Sequence, residues 1–127
     1  ETISRVAQKR DVVQDVLLEV NIGEEASKSG FSPEEVPSAL AFASKLPAIR
    51  VRGLMAIPPI CVSGEENRPF FLRMQQLFID NSEKKYDNVS MDFLSMGMSG
   101  DYTEAVACGA NLVRVGTAIF GARDYSK

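Results

Sequence analysis

The chain has 127 residues, 45% of them apolar and 24% charged, with 9 Gly, 6 Pro and no long polar tract. This excludes an intrinsically disordered segment and leaves one globular domain or a piece of one. Fourteen Lys and Arg against 17 Asp and Glu give a net charge of −3, so the positive footprint of a nucleic-acid-binding module is missing and no nucleic-acid partner is expected.

The sequence contains no His and no Trp. Ser-His and Cys-His nucleophile pairs and most zinc sites need an imidazole, so none can be built within this chain. Chemistry falls to Lys, Tyr, Cys, carboxylates, backbone amides or a bound cofactor. Cys61 and Cys108 are far apart and form no CxxC motif, so they read as buried, reduced thiols of a cytoplasmic protein. No apolar run reaches the roughly 18 residues needed to cross a bilayer, so no membrane partner is expected. The start Glu1-Thr2-Ile3-Ser4-Arg5 is not a signal peptide. The first residue is not Met, which reads as processing or as a piece cut from a longer chain.

In chain order, Ile3, Val6 and Ala7 have helical spacing in a first segment from Ile3 to about Val13. Asp15 to Ile22 is a nearly continuous apolar run stopped by Gly23, as expected for a parallel strand covered on both faces. A polar loop over residues 23–31 leads to Ser32-Pro33-Glu34-Glu35, which combines an N-cap, a Pro at the first helical position and a capping-box Glu. This predicts a helix over about 33–46. Val51 to Ile57, halted by Pro58-Pro59, reads as a second strand.

After Ser63-Gly64, Phe70, Phe71, Met74, Leu77 and Phe78 fall on one stripe of a long helix. That stripe reads as a helix face packed on a sheet and not as an aromatic ligand box. Met91 to Gly97 predicts a third strand. Asp101 and Glu104 are spaced as the capping box of a short helix to Cys108, with Gly109 as its C′ residue. Leu112 to Gly116, within an Asn111 to Phe120 segment, predicts a fourth strand.

Helix then strand, four times over with about 30 residues per unit, predicts an α/β fold with a parallel sheet and no internal domain boundary. A closed (β/α)8 barrel takes about 250 residues, so four units supply about half of one. The outer strands would be bare apolar edges, fit to pair with a missing half or with a second copy; an open doubly wound sheet is the alternative.

Two stretches place small residues at predicted strand ends: Ser95-Met96-Gly97-Met98-Ser99-Gly100-Asp101 and Val113-Arg114-Val115-Gly116-Thr117-Ala118-Ile119-Phe120-Gly121. In barrels the last two strands commonly form a phosphate site, because Gly lets backbone N–H groups approach the oxygens. Ser99 and Thr117 would add hydroxyls. Tight turns explain the same glycines, and spacing alone leaves both readings open. Arg114 lies inside an apolar strand, so its guanidinium must meet an anion or another acceptor; an ion pair with Asp92 or Glu19 is one solution. Lys28 stands in the loop after the first strand, as a solvated lysine or at the face where ligands enter.

Asn21-Ile22, Ser27-Lys28-Ser29-Gly30, Gly53-Leu54-Met55-Ala56-Ile57-Pro58, Ser95-Met96-Gly97-Met98-Ser99, the Val113 to Gly121 stretch and the ending Ala122-Arg123-Asp124-Tyr125-Ser126-Lys127 together resemble the pyridoxal 5′-phosphate (PLP) homeostasis proteins. The resemblance implies strands five to eight of a single barrel like the N-terminal domain of alanine racemase, with residues 1–127 forming its C-terminal half. It further implies a cytoplasmic, non-catalytic carrier that buffers PLP. Ser99 and the Gly116 and Thr117 amides would hold the phosphate, with Met98 nearby and Arg114 at the pyridine nitrogen.

The lysine that anchors the cofactor covalently in that family belongs to the first strand and is absent from this chain. Lys28 is left as the candidate for the aldehyde. A PLP-dependent racemase-like or phosphate-binding enzyme, and an engineered or proteolytic half-barrel that only self-associates, are the competing readings.

Overall fold

The computed structural model describes residues 1–126. Its elements in chain order are α1 (Thr2–Lys9), β1 (Gln14–Glu19), α2 (Val36–Ala43), β2 (Ile49–Met55), α3 (Arg68–Ser82), β3 (Val89–Met98), α4 (Tyr102–Ala107), β4 (Leu112–Arg114) and α5 (Thr117–Phe120), with short 3-10 turns at Pro33–Glu35 and Gly64–Asn67. The strands form one sheet in the order β1-β2-β3-β4, and every pairing is parallel. Sequential order with a crossover helix between neighbours is the topology of half a barrel, with β1 and β4 at the edges.

Apolar side chains set this arrangement. Val51, Leu54, Val89, Leu94 and Met96 of the sheet join Val36 and Leu40 of α2, Phe71 and Met74 of α3, and Ala105 of α4 in one buried cluster. The stripe expected on α3 is present. Phe71 and Met74 are completely buried, and Phe70, Leu77 and Phe78 pack partly buried around the same core.

The other face of the sheet carries charge. Arg52 donates to Asp92 (2.6 Å) and to Asp15 (2.9 Å), and Arg50 meets Asp15 at 3.0 Å. A hydrogen bond from Ser90 and the charge of Arg52 hold the Asp92 carboxyl below its ordinary value. β1 is exposed at Gln14 and Asp15 and half-buried from Val16 to Glu19, so the expectation that the Asp15–Ile22 run is covered on both faces does not hold along this strand.

Several boundaries differ from those expected, each for a local reason. β1 ends at Glu19 because Asn21 folds over the following turn: its Nδ2 donates to the Glu25 carbonyl and its Oδ1 accepts the Glu25 amide. Val20 and Ile22 remain core residues. The Ser32–Glu35 capping box forms, but it opens a 3-10 turn before α2. That helix stops at Ala43, short of Pro47, as the restriction on the residue before proline favours.

On α1, Ser4 and Ala7 are the buried residues while Ile3 and Val6 face solvent; the Ser4 hydroxyl donates to the Pro47 carbonyl. Cys108 is buried and Cys61 is half-buried, both free. Gly109, at φ 103°, takes the left-handed C′ position expected of it.

Candidate site at the carboxyl ends of the strands

The connections leaving β2, β3 and β4 converge beyond the strand ends. The β3–α4 turn brings Ser99 against the start of α5, where its Oγ accepts the amides of Gly116 (3.0 Å) and Ala118 (3.2 Å). An open cleft of about 900 Å³ lies here, lined by Met98, Ser99, Gly116 and Thr117. Ile60, Phe120 and Tyr125 supply an apolar rim, so aromatic and aliphatic surface lies beside a cluster of amides and hydroxyls.

Gly116 is informative for what its chain does not need. Its φ of −118° lies outside the left-handed region, and a Cβ added to it would meet nothing within 4 Å. Neither conformation nor internal packing therefore requires a glycine there. Its place as the N-cap of α5 is one reason for a glycine, and room for a group to approach the backbone is another.

Arg114 ends β4 and is half-buried. Its Nη2 donates to the Ala56 carbonyl at 2.9 Å, and its buried Nε has no partner among the described residues. The expected ion pair with Asp92 or Glu19 does not form: Arg52 takes the Asp92 carboxylate, and Glu19 acts on Arg114 only through space. Burial pushes the Arg114 guanidinium below its ordinary value, while Asp101 and Glu19 pull it back up.

Lys28 lies elsewhere. Its Nζ meets Glu25 at 2.7 Å and the Pro58 carbonyl at 3.1 Å, and it lines a separate hollow with Glu19, Asn21 and Ile57. The structure thus brings Met98, Ser99, Gly116 and Thr117 together, sets Arg114 two residues before Gly116, and keeps Lys28 apart.

A buried polar network that no sequence motif marks lies behind the cleft. Asn67, almost fully buried, donates through Nδ2 to Asp101 (2.8 Å), to the Cys61 sulfur (3.1 Å) and to the Pro59 carbonyl (3.2 Å). Asp101 and Glu104 do not form the capping box expected of them. Asp101 accepts the Met98 amide at 2.7 Å, and Glu104 pairs with Arg68. Burial, helped by the carboxylates of Asp101 and Glu66, pushes the Cys61 thiol above its ordinary value.

Comparison with known proteins agrees with this architecture. Residues 1–124 match the family described as alanine racemase, N-terminal domain. The pyridoxal phosphate homeostasis protein of Aquifex aeolicus (strain VF5) is 42% identical over 125 residues, which cover 98% of this chain and 54% of that protein. PipY of Synechococcus elongatus PCC7942, solved without PLP, superposes with a TM-score of 0.83 at 30% identity, covering 94% of this chain and 55% of its own. The same protein with PLP bound gives 0.78 at 29% identity over 93% of this chain and 54% of its own. The chain therefore spans about half the length of the curated relatives it matches. A parallel four-stranded half-barrel, a family match along nearly the whole chain and relatives of this kind lead to one assignment: the chain belongs to the alanine racemase N-terminal domain family.

Proposed function

We propose that residues 1–127 form the C-terminal half, strands five to eight, of a cytoplasmic PLP-binding barrel that serves vitamin B6 homeostasis as a non-catalytic carrier. Gly116 carries this reading: it lines the cleft beside Ser99 and Thr117 with open space over its Cα, which leaves room for an anion to reach the backbone. The surrounding residues fit a phosphorylated, flat, partly apolar ligand. The Thr117 amide and the Ser99 hydroxyl bind the phosphate, the Gly116 amide orients that hydroxyl by donating to its oxygen, and the Met98 side chain borders the ring. The orphaned Nε of Arg114 offers a donor to the ring nitrogen.

When bound, PLP supplies an aldehyde that captures amines and a ring that withdraws electrons. A fixed guanidinium beside the ring nitrogen disfavours a second positive charge there, so Arg114 weakens that electron sink. This agrees with storage and not turnover. The racemase alternative needs a general base in the cleft. Of the residues lining it, Tyr125 offers a hydroxyl, and that side chain is mostly exposed.

Gly116→Ala separates binding from folding. The added methyl enters open space, so the unfolding free energy should change by less than about 0.5 kcal/mol. PLP affinity, followed by absorbance titration, should fall about tenfold because the methyl keeps the phosphate from the amides. Unchanged affinity would place PLP elsewhere. Borohydride reduction of the same samples and peptide mapping should label Lys28 if the aldehyde is captured; a stoichiometric label on another lysine excludes it.

A further inference from the structure

Asp101 and Asn67 stand behind the cleft without lining it, yet both are buried polar side chains whose hydrogen bonds lead to Ser99. We propose that Asp101 is a positioning residue for anion capture: its carboxylate, locked by Asn67, holds the β3–α4 turn in the shape that presents Ser99 to the Gly116 and Ala118 amides. This rests on the phosphate reading of the cleft given above.

The turn is closed from two sides by one residue. Asp101 accepts the Met98 amide through Oδ1 at 2.7 Å, and its own amide donates to the Met98 carbonyl at 3.2 Å. Its second oxygen, Oδ2, is taken by Asn67 at 2.8 Å. Asp101 directly precedes α4 and would ordinarily cap it, but its side chain makes no bond to that helix. The carboxylate is committed to the turn before the helix.

Asn67 fixes it from the β2–α3 connection. Bonds from the same amide to Pro59 and Cys61 tie this asparagine to the loop carrying Ile60 at the cleft rim. The two connections also touch closely, since a Cβ on Gly64 would lie 3.1 Å from the Gly100 carbonyl oxygen and 3.2 Å from the Asp101 Cα. Ser99 lies in the turn between Met98 and Asp101, the two residues these bonds hold together, and its hydroxyl meets the third connection at Gly116 and Ala118. Asp101 thus acts on the anion site through Ser99.

A carboxylate accepts on both oxygens, whereas an amide must turn an NH2 toward either the Met98 N–H or the Asn67 NH2, donor facing donor. Asp101→Asn should therefore loosen the turn with little change in volume. The test is a double-mutant cycle of the parent chain, Asp101→Asn, Ser99→Ala and the double variant, titrated with PLP and with inorganic phosphate. Each single change should weaken binding about tenfold. The double variant should lie within about twofold of Ser99→Ala, because the two residues act in series. Losses that multiply to about a hundredfold, or an Asp101→Asn chain that binds as the parent does, would overturn the proposal.

Amide hydrogen exchange on the ligand-free chain gives an independent reading. Gly116 and Ala118 should exchange faster in Asp101→Asn, as they lose the Ser99 oxygen. Unchanged exchange overturns the positioning role whatever the titrations show. Faster exchange with no binding of PLP or phosphate by the parent overturns the phosphate reading instead. If Asp101→Asn does not fold, Asn67→Ser carries the same cycle, since it withdraws the amide donor from Oδ2 and leaves the Met98 bond in place.

Discussion

Gly53→Ala should leave the chain unfolded or cost at least about 3 kcal/mol of stability, the range reached by backbone strain combined with overpacking in a core. Gly53 is in β2, paired with Phe93 of β3, and its φ is 151°. A Cβ built there would lie 1.8 Å from the Phe93 carbonyl oxygen and 2.8 Å from the carbonyl carbon. These are backbone atoms of a central strand, so no side-chain rotation relieves the overlap. Relief would require β2 and β3 to separate beside the irregular register between Val51 and Gly53. Urea denaturation followed by circular dichroism reads the loss. A midpoint equal to that of the parent chain would show that the two strands do not pack as described. The same substitution at Gly116 should leave stability intact and alter only binding.

Phe71→Ala should cost about 3–5 kcal/mol, the range for emptying a fully buried aromatic site. Phe71 is completely buried on the inner face of α3, beside Met74 and against the strand residues of the core. Its removal leaves a cavity that flanking elements cannot close without moving a helix off the sheet. Leu72, the next residue, is about half exposed, and Leu72→Ala should cost less than about 1 kcal/mol. The contrast between neighbours is the informative quantity, read as the shift in denaturation midpoint at constant slope. Equal losses would mean that α3 is rotated relative to the sheet.

The parts of this fold that depend on pattern were legible in the sequence. Helix-strand alternation, the apolar stripe on α3 and the Ser32–Glu35 cap all depend on residues close together in the chain, and all three are present. Ser99 and Gly116 belong to the two small-residue stretches at strand ends, where the sequence leaves a phosphate site and tight turns equally open.

What was not legible depends on partners far along the chain. The carboxylate of Asp92 goes to Arg52, 40 residues away, which leaves Arg114 to a backbone carbonyl. No local rule distinguishes these two arginines. Asp101 has the spacing of a helix cap, but Asn67 reaches it from another connection, and burial outweighs the local motif. Asn67 itself sits in the polar stretch Glu65-Glu66-Asn67-Arg68, where nothing marks it as buried. The α5 helix was missed because its four residues follow a three-residue strand and read as the strand's continuation.

The cleft beyond β3 and β4 is proposed to take PLP by its phosphate. Competition among PLP, pyridoxal and inorganic phosphate, followed by calorimetry on the parent chain, tests it most directly. The phosphate contributes charge-assisted hydrogen bonds that pyridoxal cannot make, so pyridoxal should bind at least about tenfold more weakly than PLP, and inorganic phosphate should displace PLP. Pyridoxal binding as tightly as PLP, with phosphate failing to compete, would contradict the account.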